Sequence, residues 1–248
     1  MRRFKLTIAY DGSQYCGWQV QKGQVTVQQC LEEAFRKLFA GVKRVHSSSR
    51  TDTGVHALGM VAHVDLPKDQ CQMNPCKLKL AVNAFLPADI RVMKVVRVKA
   101  DFHARFDARG KQYRYLIWNG PVMNPLLLGH AWHVPAPLDL ELMQKAAKLF
   151  VGKKDFKSFA TTREYEMETT VRRLTRCDVR KRGSKLMVTI EGEGFLYKMC
   201  RGIVGTLARV GQGKLTQRDV YAIFQKRDRR VGGMNAPAGG LTLVKVKY

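Results

Sequence analysis

Asp52 lies in the run RTDTGVHA, two residues after Arg50 and two before Gly54, in a turn between two strand-like stretches. Positions two apart share one side of an extended backbone, and glycine accepts a positive φ, so carboxylate and guanidinium can face the same way out of a bent loop. Loops held on a rigid scaffold often carry function. An ionised carboxylate presented there can act as nucleophile or as general base. The same residues also suit an ordinary Asx turn, in which the carboxylate caps its own backbone.

Two other places offer chemistry. In Lys111-Gln112-Tyr113-Arg114-Tyr115 the alternation of a strand puts Tyr113 and Tyr115 on one face and Arg114 on the other. A tyrosine facing a cleft can stack on an unpaired base for roughly 1–3 kcal/mol, whereas one facing inward only packs. Arg201 interrupts the apolar helical face of Phe195, Met199, Ile203, Val204 and Leu207. A lone charge there is costly unless a carboxylate such as Asp52 pairs with it or the head group reaches water at the rim. His46, His56 and His63 have no companion cysteine pair, so the zinc-deaminase pattern fails. With no Gly-rich phosphate loop and no metal-ligand spacing either, neither cofactor nor metal is expected.

The elements that must position these residues follow from periodicity and caps. Phe4 to Tyr10 alternates as a strand and ends at Asp11-Gly12-Ser13. Thr26 caps a helix through Phe39, and Gly41 ends it. Strands are expected near 42–47 and over 58–64, with the RTDTGVHA turn between them. Asn74 and Pro75 open a helix through Phe85, and Ile90 to Val98 is a strand. The second half repeats the order with a strand over 112–118, a helix over 139–150, a hairpin with arms 171–181 and 185–191, helices over 195–210 and from Thr216 to Phe224, and a last strand over 241–246. The segments 119–130, 160–169 and 227–240 read as loops. The order β-α-β-β-α-β is ferredoxin-like. The expected fold is therefore α+β: two ferredoxin-like halves, 1–105 and 106–248, with mostly antiparallel sheets side by side and a cleft between them.

The bulk composition narrows the partner. In 248 residues, 44 lysines and arginines face 20 acidic residues, a formal net charge of +24 and a pI near 10.1. Such a surface attracts polyanions, and counterion release makes nucleic acid the leading partner. Arg172, Arg173, Arg180 and Lys181, with Lys153, Lys154, Lys157, Arg176 and Arg182, can cradle phosphates or simply form a solvated face. Six cysteines without a CxxC pair suit a reducing cytosol. The opening MRRFKLTIAY runs straight into a strand pattern, so no secretory leader is expected, nor is a membrane partner.

Beyond these readings, the chain resembles the TruA family of tRNA pseudouridine synthases. RTDTGVHA is similar to the family's RTDxGVHA signature, YDGSQYCGWQVQ to its YDGxxYxGWQ opening, and NAFLPADIRV to its NxxLPxDI segment. DFHARFDARGKQYRYLIWN resembles its FHAR…YRYxI stretch, and FLYKMCRGIVGTLARVG its FxxxMVRxxVG helix. Ser49 stands where many members have glycine, a small change in the turn. The resemblance implies isomerisation of uridine to pseudouridine in the anticodon stem-loop of tRNA, at positions 38 to 40, by a cytoplasmic homodimer. It implies Asp52 as the essential carboxylate, Tyr113 as the cleft tyrosine and Arg201 as the partner arginine. Arg50, His56 and Arg105 are then candidates for contact with the RNA. A non-catalytic RNA-binding or RNA-folding module on the same scaffold is the alternative, and an acid-and-histidine phosphodiesterase a third reading.

Overall fold

The computed structural model describes residues 1–161 and 169–248. The fold is mixed α+β, and its contacts divide it into two compact units, Met1–Arg109 with Leu243–Tyr248, and Gly110–Thr242.

In the first unit, strand β1 (Arg2–Tyr10) buries Phe4, Leu6, Ile8 and Tyr10 at every second position. Each such side chain contributes about 1.5–3 kcal/mol by leaving water. Helix α1 (Val27–Leu38) follows, its amide at Gln29 donating to the Thr26 hydroxyl and its face of Val27, Leu31, Ala34 and Phe35 buried. Strand β2 is only His46–Ser47, and β3 spans His56–Leu66. Helix α2 (Pro75–Ala84) starts as its Asn74 cap predicts, and β4 is Ile90–Val98. Strand β1 runs antiparallel to β3, with Leu6 opposite Ala62, and antiparallel to β4 on its other side.

The expected strand at 42–47 shrinks to two residues because Val42 and Val45 turn into the core. The Val45 amide donates instead to the Glu32 carboxylate of α1, at 3.1 Å. Glu32, buried, also accepts from Gln28 and Arg36, so both of its carboxylate oxygens are hydrogen-bonded.

The second unit starts with β5 (Gly110–Trp118) and a short strand β6 (Trp132–His133) parallel to it. Helix α3 (Leu140–Lys148) is capped by Asp139. Strands β7 (Gly152–Asp155), β8 (Val171–Arg182) and β9 (Lys185–Gly192) then line up in the order β5-β9-β8-β7, all antiparallel. The β8–β9 hairpin turns at Gly183, whose φ of 56° lies in the left-handed region. Helix α4 (Met199–Gly211) begins four residues later than its periodicity predicts, because Lys198 adopts a left-handed φ of 57°. Helix α5 (Gln217–Lys226) has a full capping box from Thr216 and Asp219. The last strand, β10 (Leu241–Lys247), begins in this unit and ends beside β3 in the first.

The segments expected to be loops hold short 3-10 turns at Pro125–Leu127, Arg229–Val231 and Ala238–Gly240, while most of 160–169 lies outside the described residues.

Candidate active site

The Asp52 turn is clasped by the segment that follows β1. The Tyr10 hydroxyl and the Thr51 hydroxyl are 2.8 Å apart in a buried hydrogen bond. The Thr51 carbonyl accepts from the Trp18 amide at 3.1 Å, and the Val55 amide closes the turn onto the Asp52 carbonyl at 3.1 Å. Gly54, at φ 76°, donates to the Tyr15 carbonyl. Backbone meets backbone so closely that side chains are excluded. A Cβ on Gly17 would stand 2.6 Å from the Thr51 carbonyl oxygen, and one on Gly12 would stand 2.1 Å from that of Val55.

The third segment of the family resemblance joins the same assembly. The Tyr15 hydroxyl donates to the Asp89 carboxylate at 2.6 Å, and the Asp11 amide donates to the Asp89 carbonyl. Burial first, and this bond second, push the Tyr15 phenol far above its ordinary pKa, so it stays a donor. YDGSQYCGW thus binds LPADI and also clasps RTDTGVHA, whose Asp52 is half-exposed.

His56 is a strut of this assembly. It is only 6% exposed, and its Nδ1 lies 3.0 Å from both the Gly12 amide and the Asp11 carboxylate. One nitrogen cannot serve both, since the first needs a lone pair and the second a proton. Asp11 already accepts from the Ser13 amide and hydroxyl, so we assign Nδ1 as the acceptor of the Gly12 amide. Arg50, by contrast, is exposed at the head of the turn.

In the second unit, β5 alternates as predicted, with Tyr113 and Tyr115 buried and Arg114 exposed. The two tyrosines differ in surroundings. Tyr115 is fully buried, and its hydroxyl donates to the Pro237 carbonyl at 2.7 Å. Tyr113 is 7% exposed and meets the Phe195 ring edge-on at 5.0 Å.

Arg201 sits half-buried on α4, and its Nε donates to the Ala236 carbonyl at 2.7 Å. The Ala236 amide returns a bond to the Arg201 carbonyl at 3.0 Å. Glycines allow this clasp, because a Cβ on Gly205 would stand 1.8 Å from the Met234 carbonyl oxygen. The Arg201 charge pulls the Tyr115 phenol toward ionisation, but burial outweighs it and holds that phenol protonated. Sequence periodicity marked Arg201 as an interruption but held no signal for the Met234–Ala236 segment that grips it.

Some of the cationic face is already partnered. Arg173 lies 3.9 Å from Glu193, and Arg176 and Arg180 both reach Asp178. Arg172 donates to the carbonyls of Thr169 and Val171, and its burial lowers its pKa. Lys181 and Arg105 are exposed.

Among the described residues, His46, His63 and His103 bring three ring nitrogens within 4.8 Å of one another. Their chemistry suits a hydrogen-bonded stack better than an ion. His63 Nδ1 accepts from the Ala104 amide and His103 Nδ1 from those of Arg105 and Phe106. Binding a metal through Nε2 would put a proton on Nδ1, facing those N–H groups.

A family model described as tRNA pseudouridine synthase matches residues 6–107 and 146–248. The chain belongs to the tRNA pseudouridine synthase family. It is 43% identical over 249 residues to "tRNA pseudouridine synthase A" of Geotalea uraniireducens (strain Rf4), covering all of both chains. It is 41% identical over 245 residues to the protein of that name from Methylacidiphilum infernorum (isolate V4), covering 99% of this chain and 95% of the other. A Brevibacillus brevis (strain 47) relative of the same name is 43% identical over 252 residues and is likewise covered in full. As a family member the chain is an isomerase. The segments that hold its Asp52 turn, residues 10–18, 50–57 and 86–90, all lie inside the first matched stretch. No helix among the described residues is long and apolar enough to cross a membrane.

Proposed function

We propose that this protein isomerises uridine to pseudouridine in the anticodon stem-loop of tRNA, at positions 38 to 40, with Asp52 as the catalytic carboxylate. The observation that carries this reading is the interlocked turn around Asp52 in a chain of this family. The segment after β1, itself tied to Asp89, fixes the backbone on both sides of one carboxylate, and that side chain is half-exposed. A purely structural Asx turn needs no such framework.

The reaction breaks the bond between N1 and the ribose C1′, turns the base, and joins C5 to C1′. The C5 proton leaves and N1 gains one, so no redox partner is required. Ionised Asp52 acts at the sugar, either by attacking C1′ or by removing the C2′ proton. The base must leave its stack first, at a cost of a few kcal/mol. The family resemblance implies Tyr113 as the aromatic residue and Arg201 as the guanidinium of this reaction, and Arg50, exposed at the head of the turn, suits the vacated backbone. Arg172, Arg173, Arg180 and Lys181 lie on β8, where the exposed Arg173, Arg180 and Lys181 suit phosphates.

We further infer a cytoplasmic homodimer and two ferredoxin-like halves. The pairing of β2 with β3 and the order β4-β1-β3 support such a half in the first unit, and β5-β9-β8 supports one in the second.

The experiment is chemical mapping of pseudouridine in a complete pool of unmodified tRNA after incubation with the protein. New pseudouridine confined to the anticodon stem-loop is the expected outcome. Bound tRNA without any new pseudouridine returns the reading to a non-catalytic RNA module, and strand scission to a phosphodiesterase.

A further inference from the structure

The turn after β4 is held more firmly than its place on the surface requires. Every backbone amide from His103 to Asp107 has an acceptor. His103 donates to the Asp107 carboxylate at 2.9 Å, and Asp107 donates back to the His103 carbonyl at 3.1 Å. Ala104 donates to the imidazole of His63, and Arg105 and Phe106 donate to that of His103. Below the turn, His63 stacks on His46 and meets His103 edge-on, at 4.9 and 4.8 Å between centroids. A loop tied at each amide has little freedom left, and its outward side chains are presented in fixed positions.

What it presents is an aromatic ring beside a cation. Phe106 is 76% exposed, rests against the His103 ring at 4.3 Å, and has the Arg105 guanidinium 5.8 Å from its centroid. A large ring displayed to water on a fixed turn, with a guanidinium beside it, offers a face on which a planar group can stack. The net charge of +24 and the Arg105 cation beside the ring favour a polyanion with planar groups as its occupant.

We propose that Phe106, flanked by Arg105, is a stacking platform for an unpaired base of the tRNA substrate, distinct from the nucleotide at Asp52. This rests on the reading that the chain acts on tRNA. The separation follows from β3. His56 adjoins the Asp52 turn, and His63, seven residues along the same strand, carries the 103–107 turn. At about 3.3 Å per residue these points are roughly 23 Å apart. The platform therefore meets a base several nucleotides away from the one that reacts, and it acts on the grip and register of the RNA.

The test uses the full chain, an unmodified tRNA transcript and three variants: Phe106→Ala, Phe106→Trp and Arg105→Gln. Dissociation constants are measured across a salt series, alongside turnover at saturating tRNA, oligomeric state and thermal midpoint. Phe106→Ala is expected to weaken binding about 5- to 100-fold, as the loss of one base stack should. Its effect on dissociation should exceed its effect on the saturated rate, the salt slope should stay that of wild type, and Phe106→Trp should restore binding. Arg105→Gln should flatten the salt slope by about one. An alanine variant that binds like wild type overturns the platform. So does a tryptophan variant as weak as alanine, or a loss of affinity that merely follows a change in self-association. Should wild type bind tRNA and make no pseudouridine, the enzymatic reading falls separately, and the comparison of dissociation constants still decides the platform.

Discussion

Asp52→Asn keeps the side chain's volume and removes its charge. If that charge does the chemistry, turnover should fall by at least about three orders of magnitude, while tRNA affinity changes less than about threefold. Single-turnover conversion and filter binding on one preparation measure both quantities, and appreciable residual turnover would reassign the role. His63 supplies a second prediction. It is 2% exposed, and burial first, then the charge of Arg3 and the neighbouring His46 and His103, lower its pKa from 6.5 to about 4, with Asp65 pulling the other way. The folded state therefore holds fewer protons than the unfolded chain below pH 6.5. This contribution is full above that pH and is lost as pH falls toward 4, by up to about 3 kcal/mol. Urea unfolding at pH 7.5, 6 and 5 should show the decline, and His63→Gln should make it shallower.

Helix α4 depends on absent side chains. Gly205→Ala would drive a methyl group into the Met234 carbonyl, 1.8 Å away, and the obstruction is backbone that cannot swing aside. We expect a loss of about 3 kcal/mol or more in unfolding free energy, read by denaturant midpoint, and detachment of the segment that holds Arg201. At this scale most elements were legible: β1, α1, α2, β4 and the β8–β9 hairpin lie within two residues of their caps and periodicities. The exceptions have physical causes. β7, Gly-Lys-Lys-Asp, carries no apolar residue and so no alternation, and it pairs only because β8 offers it an edge. The early start expected for α4 counted Phe195 into the helical face, whereas that ring packs on Tyr113 from a loop. The site was legible as residue types in order, Asp52 above all. What escaped was the scaffolding: a Tyr10–Thr51 bond across 41 residues, or His56 turned inward to serve Gly12, follows from tertiary packing that no local pattern encodes.

For the molecule as a whole, the excess of 24 positive charges should make RNA binding strongly dependent on ionic strength. If four or more phosphates are contacted, tRNA affinity should drop about a hundredfold between 50 and 200 mM monovalent salt. A flat response would mean that the charge serves something other than the RNA backbone. The division of the chain has another consequence. The last strand, β10, returns to the first unit, whose edge it completes beside β3, and at Gly59 a Cβ would stand 2.4 Å from the Val244 carbonyl oxygen. During synthesis, everything from Gly110 to Thr242 must leave the ribosome before that edge can be covered. The nascent first unit therefore waits with an open strand, and a nick beside Leu243 would wound a unit whose other residues were translated well before it.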